Sequence, residues 1–308
     1  MHRLIVALVM LSLLVVPAPV SAAEPCAPPG DHTEQEWPVV QRKADGTLVS
    51  RAYRAHVPPH QTGALVLDLH GAMSNKDEQD RRSQMRAKSD AEGFVVIQPN
   101  SLPNWITSPQ EEAKRGVSDF EFVRTLLEFA VRRMCVSPDA IYSVGFSSGG
   151  LMSTMLACAG AEGRLGGFRL AGVGAVASAP LPMPTGRICP ALAEHPVPLR
   201  IVFSDNDSLL AHCCRNNLAK MVTAVHDAAR LWAADNGCIP FSTVAETGKT
   251  GPGVRKRTTR HHCLLRRGEV LVDVVDSGSV FRDGHFWPGP PNRDDYDATA
   301  ALWWFLRP

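Results

Sequence analysis

Short, largely apolar runs alternate with longer stretches of helical periodicity along the chain, and that alternation leaves few folds open. Ala64–Leu69, Phe94–Gln98, Ala140–Gly145, Ala171–Ser178, Leu199–Phe203 and Val270–Val275 have the length and composition of strands buried on both faces. Between them lie helical patterns. Lys76–Glu92 is rich in helix formers and stops at Gly93. Ser118 and Glu121 form a capping box ahead of an apolar face of Phe122, Leu126, Phe129 and Ala130. Leu151–Ala159, Asn216–Asn236 (closed by Gly237) and Asp294–Leu306 are further helices. Leu48–Val57 alternates and ends at Pro58-Pro59, as an outer strand would, while Ser101–Gly116 has no periodicity and is expected to be a long loop. Parallel strands joined by right-handed helical crossovers place helices on both faces of one sheet. The expected fold class is therefore α/β, with a mostly parallel central sheet and functional loops at the carboxyl ends of its strands.

No linker, repeat or low-complexity tract divides the chain, so residues 23–308 are expected to form one domain. Hydrophobic residues make up 44% of the 308, enough for a sizeable core and too many for a disordered chain. The 32 Lys and Arg nearly balance the 31 Asp and Glu, which leaves no electrostatic footprint for nucleic acid. The basic stretch Arg255–His262 lacks interleaved aromatics and is expected to be a solvated strand or loop.

The first residues set the expected compartment. A basic start, the apolar run Leu4–Val16 and the small residues up to Ala23 have the form of a secretory signal peptide over residues 1–22. The mature protein is expected to be secreted or periplasmic, monomeric and free of the membrane. Export makes disulfides the default for the eight cysteines, and the lack of any C-x-x-C pair argues against zinc; no metal is expected. Cys158–Cys189 and Cys238–Cys263 are the plausible pairs by order along the chain. Cys213 and Cys214 are neighbours; a bond between them would be strained, so each is expected to pair elsewhere, near the loop that carries Asp207.

The strongest chemical signal is Gly145-Phe146-Ser147-Ser148-Gly149-Gly150, set between a strand and a helix. A nucleophilic serine on a sharp strand-to-helix turn needs small neighbours because its backbone is crowded. His70-Gly71-Ala72 follows the strand Ala64–Leu69, where a backbone N–H can face the site. The N–H groups of Ala72 and Ser148 are the candidate oxyanion hole, and His70 is expected to be structural. A serine needs a base and an acid, which follow it in the chain in this fold class. Asp205 and Asp207 lie after the strand Leu199–Phe203, and His285 lies in the loop before the last helix.

The strings Leu69-His70-Gly71, Gly145–Gly150 and Gly284-His285-Phe286-Trp287-Pro288-Gly289 resemble secreted esterases related to polyhydroxybutyrate depolymerases, feruloyl esterases and acetylxylan esterases. Ser118–Val123 and Cys135–Tyr142 extend the resemblance, which covers about Asp31 to Pro308. It implies an α/β-hydrolase fold with Ser147 as nucleophile, His285 as base, and Asp207 as acid with Asp205 as the alternative. That family's acid segment usually reads H-G-T-A-D, and Phe203-Ser204-Asp205-Asn206-Asp207 departs from it at the first four positions. Its G-G-G-H is Arg282-Asp283-Gly284-His285 here, which adds two charges near the base. Trp105 and Trp287 are candidates to line the substrate.

The implied activity is hydrolysis of polyhydroxyalkanoate-type oligomers or of acyl or feruloyl esters of polysaccharide, through an acyl-enzyme and without a cofactor. The absence of a Ser/Thr-rich linker or polymer-binding module favours small or soluble oligomeric esters. A non-catalytic secreted binding protein on the same scaffold is the alternative.

Overall fold

A computed structural model describes residues 26–247, 255–264, 268–276, 284–289 and 296–307. Residues 1–22, expected from the sequence to be a signal peptide, and Arg282 and Asp283 before the histidine lie outside these residues. The strands are β1 Gly30–Thr33, β2 Val39–Arg42, β3 Leu48–Arg51, β4 Tyr53–Val57, β5 Leu65–Leu69, β6 Val95–Pro99, β7 Ile141–Phe146, β8 Gly172–Val176, β9 Leu199–Ser204, β10 Ser242–Thr247, β11 Arg255–His261 and β12 Val270–Asp276. All but β2 and β3 join one sheet in the order β1-β4-β6-β5-β7-β8-β9-β12-β11-β10. Its centre, from β6 to β12, is parallel, and both edges are antiparallel.

The helices cover both faces, as the crossover rule requires. They are α1 Lys76–Ser83, α2 Met85–Glu92, α3 Pro109–Arg115, α4 Asp119–Arg133, α5 Ser148–Ala161, α6 Leu218–Asp235 and α7 Ala298–Leu306. On one face Phe122 and Leu126 of α4, Met152 and Leu156 of α5, and Trp232 of α6 pack on the inward residues of the sheet. On the other, Met85 of α2 and Leu302 and Trp303 of α7 pack with Phe94, Tyr142 and Phe146.

Two expectations need correction. The single helix Lys76–Glu92 is two, because Gln84 takes a left-handed conformation (φ 53°) that ends α1 and starts α2. The long loop after β6 contains α3, capped by Ser108, with Pro109 in its first turn and Gly116 at its end. Its seven residues bury no side chain, so it lacks the periodic apolar stripe that reveals longer helices. The solvated stretch 255–262 is largely β11, an antiparallel extension of the sheet.

A buried ion pair orders the loop on which the site leans. Arg51 of β3 meets Asp119 of α4 at 2.5 Å, both fully buried, and also donates to Gln41 and to the Asn100 carbonyl. The second oxygen of Asp119 accepts the Ile106 N–H at 2.7 Å. One charge pair thus ties an outer hairpin, α4 and the 100–118 loop together.

Three disulfides are present: Cys26–Cys135, Cys158–Cys189 and Cys238–Cys263. The latter two are the pairs expected from chain order. Cys213 and Cys214 do not pair elsewhere, because the other six cysteines are taken. No helix among the described residues is long and apolar enough to cross a membrane.

Candidate active site

The central strands end on one rim, where their loops converge. β7 runs into Ser147, whose backbone is sharply turned (φ 53°, ψ −120°) before α5 begins. A non-glycine residue rarely adopts this conformation, and it costs roughly 1–3 kcal/mol. The Ser147 N–H donates to the Val176 carbonyl at 2.8 Å, which fixes the turn to β8. The close approach of α5 to β5 requires Gly149. A Cβ there would lie 2.2 Å from the Leu69 carbonyl oxygen and 2.5 Å from that of His70.

The loop after β5 reaches the Ser147 turn at Gly71, where a Cβ would lie 3.5 Å from the Cβ of Ser147. Ala72 follows this contact directly in the chain. Ser148 opens α5, where an N–H has no acceptor within the helix. These are the two positions read from the sequence as oxyanion donors.

His70 holds the loop, as expected. It is fully buried; Nδ1–H donates to the Gly71 carbonyl at 2.7 Å, and Nε2 accepts the Ser101 N–H at 3.0 Å. Burial lowers its pKa, in keeping with a neutral ring. Trp105 donates from Nε1 to the His70 carbonyl at 2.7 Å and is only 3% exposed. It braces the loop from behind instead of presenting a face to solvent. Trp105→Phe is expected to cost about 1–2 kcal/mol of stability and to leave KM little changed. A tenfold rise in KM would return Trp105 to a substrate-lining role.

Trp287 is likewise given to the core. It is 1% exposed, packs with the α7 side of the sheet and donates to Thr299 Oγ1 at 2.9 Å. The sequence placed it beside the histidine but could not tell which way its ring turns.

The acid and the histidine meet. Asp207, fully buried after β9, faces His285 with its two oxygens 2.8 and 3.0 Å from Nδ1. It also accepts the Leu210 N–H at 2.7 Å. Asp207, not Asp205, thus holds the imidazole. Gly284 makes the approach possible: its φ is 65°, and a Cβ would lie 2.3 Å from Asn206 Oδ1. The His285 ring packs 4.9 Å from that of Phe146, the residue before Ser147. The three side chains singled out from the sequence thus lie on one rim.

Asp68 escaped notice, although a lone carboxylate in an apolar run is an anomaly that could have marked it. It is fully buried in β5, two residues before His70, and accepts from Gln79, Ser83 and Gln98 at 2.7, 2.7 and 2.9 Å. These bonds dock α1 and β6 against the strand that presents the loop. Burial pushes its pKa up to about 6, although the three donors oppose this. The folded protein therefore binds this proton more tightly than the unfolded chain. The Asp68 contribution to stability falls as pH rises from about 4 to 6 and is flat above. The Tm of the wild type minus that of Asp68→Asn should decline over that window; a constant difference would exclude the effect.

Beside Ala72 a shallow depression of about 640 Å³ is lined by Met73, Ser74, Asn100, Ser101, Leu102 and Pro103. Met73, Leu102 and Pro103 give it apolar surface on the loop that follows Gly71.

No family model matches the chain. The sequence is similar to a curated protein of Nocardia uniformis subsp. tsuyamanensis described as "Putative esterase NocK", with 30% identity over 226 residues, 65% of this chain. The match spans 63% of that relative's length. Among solved structures, the acetyl xylan esterase from Aspergillus awamori is similar over 83% of this chain and 93% of its own, with a TM-score of 0.54 and 14% identity. At that identity the likeness speaks for the fold alone: the protein has the α/β-hydrolase fold.

Proposed function

We propose that the protein is a serine carboxylic-ester hydrolase, with Ser147 as nucleophile, His285 as base and Asp207 as the acid that orients it. The observation that carries this reading is the Asp207–His285 contact at 2.8 Å, set against the ring that precedes the strained Ser147 turn. The similarity to an esterase-designated relative points the same way.

Both Asp207 oxygens face Nδ1, so Nδ1 carries the proton and Nε2 is left to act as base. His285 takes the Ser147 hydroxyl proton as Oγ attacks the ester carbonyl. Asp207 stabilises the imidazolium that forms. The N–H groups of Ala72 and Ser148 hold the negative oxygen of the tetrahedral intermediate. Collapse expels the alcohol, which receives the proton from His285. Water, activated by the same imidazole, then releases the acid from Ser147.

The substrate class proposed is an uncharged ester, either a hydroxyalkanoate oligomer or an acyl or feruloyl group on polysaccharide. The open, partly apolar depression beside Ala72 suits the acyl part. Three disulfides support a setting outside the reducing cytosol.

A fluorophosphonate probe tests the reading. Labelling of wild type that is lost in Ser147→Ala supports it; equal labelling of both would refute it. A panel of hydroxybutyrate, acetyl-sugar and feruloyl esters then resolves the substrate.

A further inference from the structure

Cys213 and Cys214 end a 3₁₀ turn, Leu210–Cys214, that starts from the acid itself. Asp207 Oδ1 accepts the Leu210 N–H at 2.7 Å, and the Asp207 carbonyl accepts the Ala211 N–H at 3.0 Å. The turn closes when the Arg215 and Asn216 N–H groups donate to the Ala211 carbonyl, with both residues in the left-handed region. The two thiols stand 2.7 Å apart, Cys213 exposed and Cys214 half-buried. With the other six cysteines bonded, each has only the other as an intramolecular partner.

We propose that Cys213 and Cys214 are a redox modification site, closing on each other into a vicinal disulfide that changes how Asp207 is held. The oxidant is a low-molecular-weight disulfide. One cysteine thiolate attacks it, forms a mixed disulfide and releases one thiol. The second cysteine then displaces the other half, so that two cysteine thiols and one external disulfide become one internal disulfide and two external thiols.

The bond is reversible for a geometric reason. Adjacent Cα atoms sit about 3.8 Å apart, below the roughly 4.4 Å at which ordinary disulfides begin. Strain of this kind makes a disulfide easier to reduce, so a mild reductant would open it before the other three.

Its consequence follows from the hydrogen bonds. Closing the ring takes the 213–214 peptide out of the 3₁₀ geometry. The turn is one short unit whose first N–H groups hold the carboxyl and carbonyl of Asp207. Loosening it weakens the hold on the oxygen that Asp207 shares between Leu210 and His285. The thiol form, in which the Asp207–His285 contact is made, is the engaged state.

The effect on turnover rests on the esterase reading; the bond and the movement of the acid do not. Full-length protein is equilibrated with reduced or oxidised glutathione, alkylated and digested without reduction. Peptide mass spectrometry should show the 213–214 peptide doubly alkylated after reduction. After oxidation it should be unalkylated and lighter by two hydrogens, with the other six cysteines unalkylated throughout. Cys213 and Cys214 remaining alkylated after oxidation, or found bonded to other partners, would overturn the proposal. The downfield Nδ1–H resonance of His285 should be present in the reduced form and lost or shifted in the oxidised one; an identical signal in both would overturn the coupling to the acid. Hydrolysis of a p-nitrophenyl ester should fall at least about tenfold on oxidation and recover on reduction. It should be insensitive to redox state in Cys213→Ser/Cys214→Ser. If the resonance responds but neither form hydrolyses esters, the esterase reading fails and the switch stands.

Discussion

Ser147→Ala is expected to lower kcat for ester hydrolysis by about 10⁴-fold or more without unfolding the protein. The proposed reaction needs a covalent acceptor for the acyl group, and none remains once Oγ is removed. What is left is the oxyanion hole and substrate binding, which alone give only a small fraction of the rate. The fold should tolerate the change, because alanine keeps the Cβ and the Ser147 side chain makes no capping bond to α5. A second substitution separates function from strain. Ser147→Gly should be equally inactive but more stable than wild type, by roughly 1–3 kcal/mol, because glycine accepts φ 53° without a clashing Cβ. A Tm several degrees above that of Ser147→Ala would show that the protein holds its serine in a costly conformation. Equal melting temperatures would mean the turn stores no such energy. Turnover in Ser147→Ala within tenfold of wild type would remove Ser147 from the mechanism.

Gly149→Ala is expected to be the most damaging single-methyl change in the site. The added Cβ would lie 2.2 Å from the Leu69 oxygen, 2.5 Å from the His70 oxygen and 2.7 Å from the Leu69 carbonyl carbon. These are backbone atoms at the end of a central strand, so no rotamer change relieves the overlap. β5 is paired on both sides, to β6 and β7. Asp68, just before Leu69, is held by three donors from α1 and β6. Either α5 shifts away and carries the Ser147 turn with it, or the Leu69–Ala72 loop is displaced. Both outcomes disturb the close approach of Gly71 to Ser147. The expected cost is about 3 kcal/mol or more, a fall of roughly 10 °C in Tm, with activity lost below the melting transition as well. Thermal melts with parallel rate measurements at 25 °C check this. A variant with unchanged Tm and rate would show that the two loops are not in the tight contact described.

Much of this was legible from one dimension, for definite reasons. Strands buried on both faces carry runs of apolar residues whatever they pair with, and β5, β6, β7, β8, β9 and β12 all fall within a residue or two of such runs. The glycines around Ser147 mark a turn too crowded for side chains, and crowding by neighbouring backbone leaves a local trace. The capping serine of α4 is local too: its hydroxyl accepts from the Glu121 N–H at 3.3 Å, as the S-x-x-E spacing predicts. The breaks that local pattern does not reveal are those where the deciding force is not periodic. Gln84 ends a helix through one left-handed residue in an otherwise favourable run. α3 has no apolar stripe because it buries nothing.

The choices left to the tertiary structure all depend on partners distant in sequence. Asp205 and Asp207 lie two residues apart on one loop, with nothing in their neighbourhood to separate them. The His285 ring, 78 residues further on, decides for Asp207, and it can approach because Gly284 leaves room against Asn206. Trp105 and Trp287 are expected from their chain positions to line the substrate. Their rings are nonetheless claimed by the His70 carbonyl and by Thr299, acceptors 35 and 12 residues away. Cys213 and Cys214 have no cysteine partners elsewhere, because three disulfides use every other cysteine. The sequence by itself determined the layers of the fold and the residue types at the site, because burial and turn crowding are written into local pattern. Which carboxylate meets His285, which way the two tryptophan rings turn and which cysteines bond was decided only by packing, since those contacts are properties of the closed sheet and not of any segment within it.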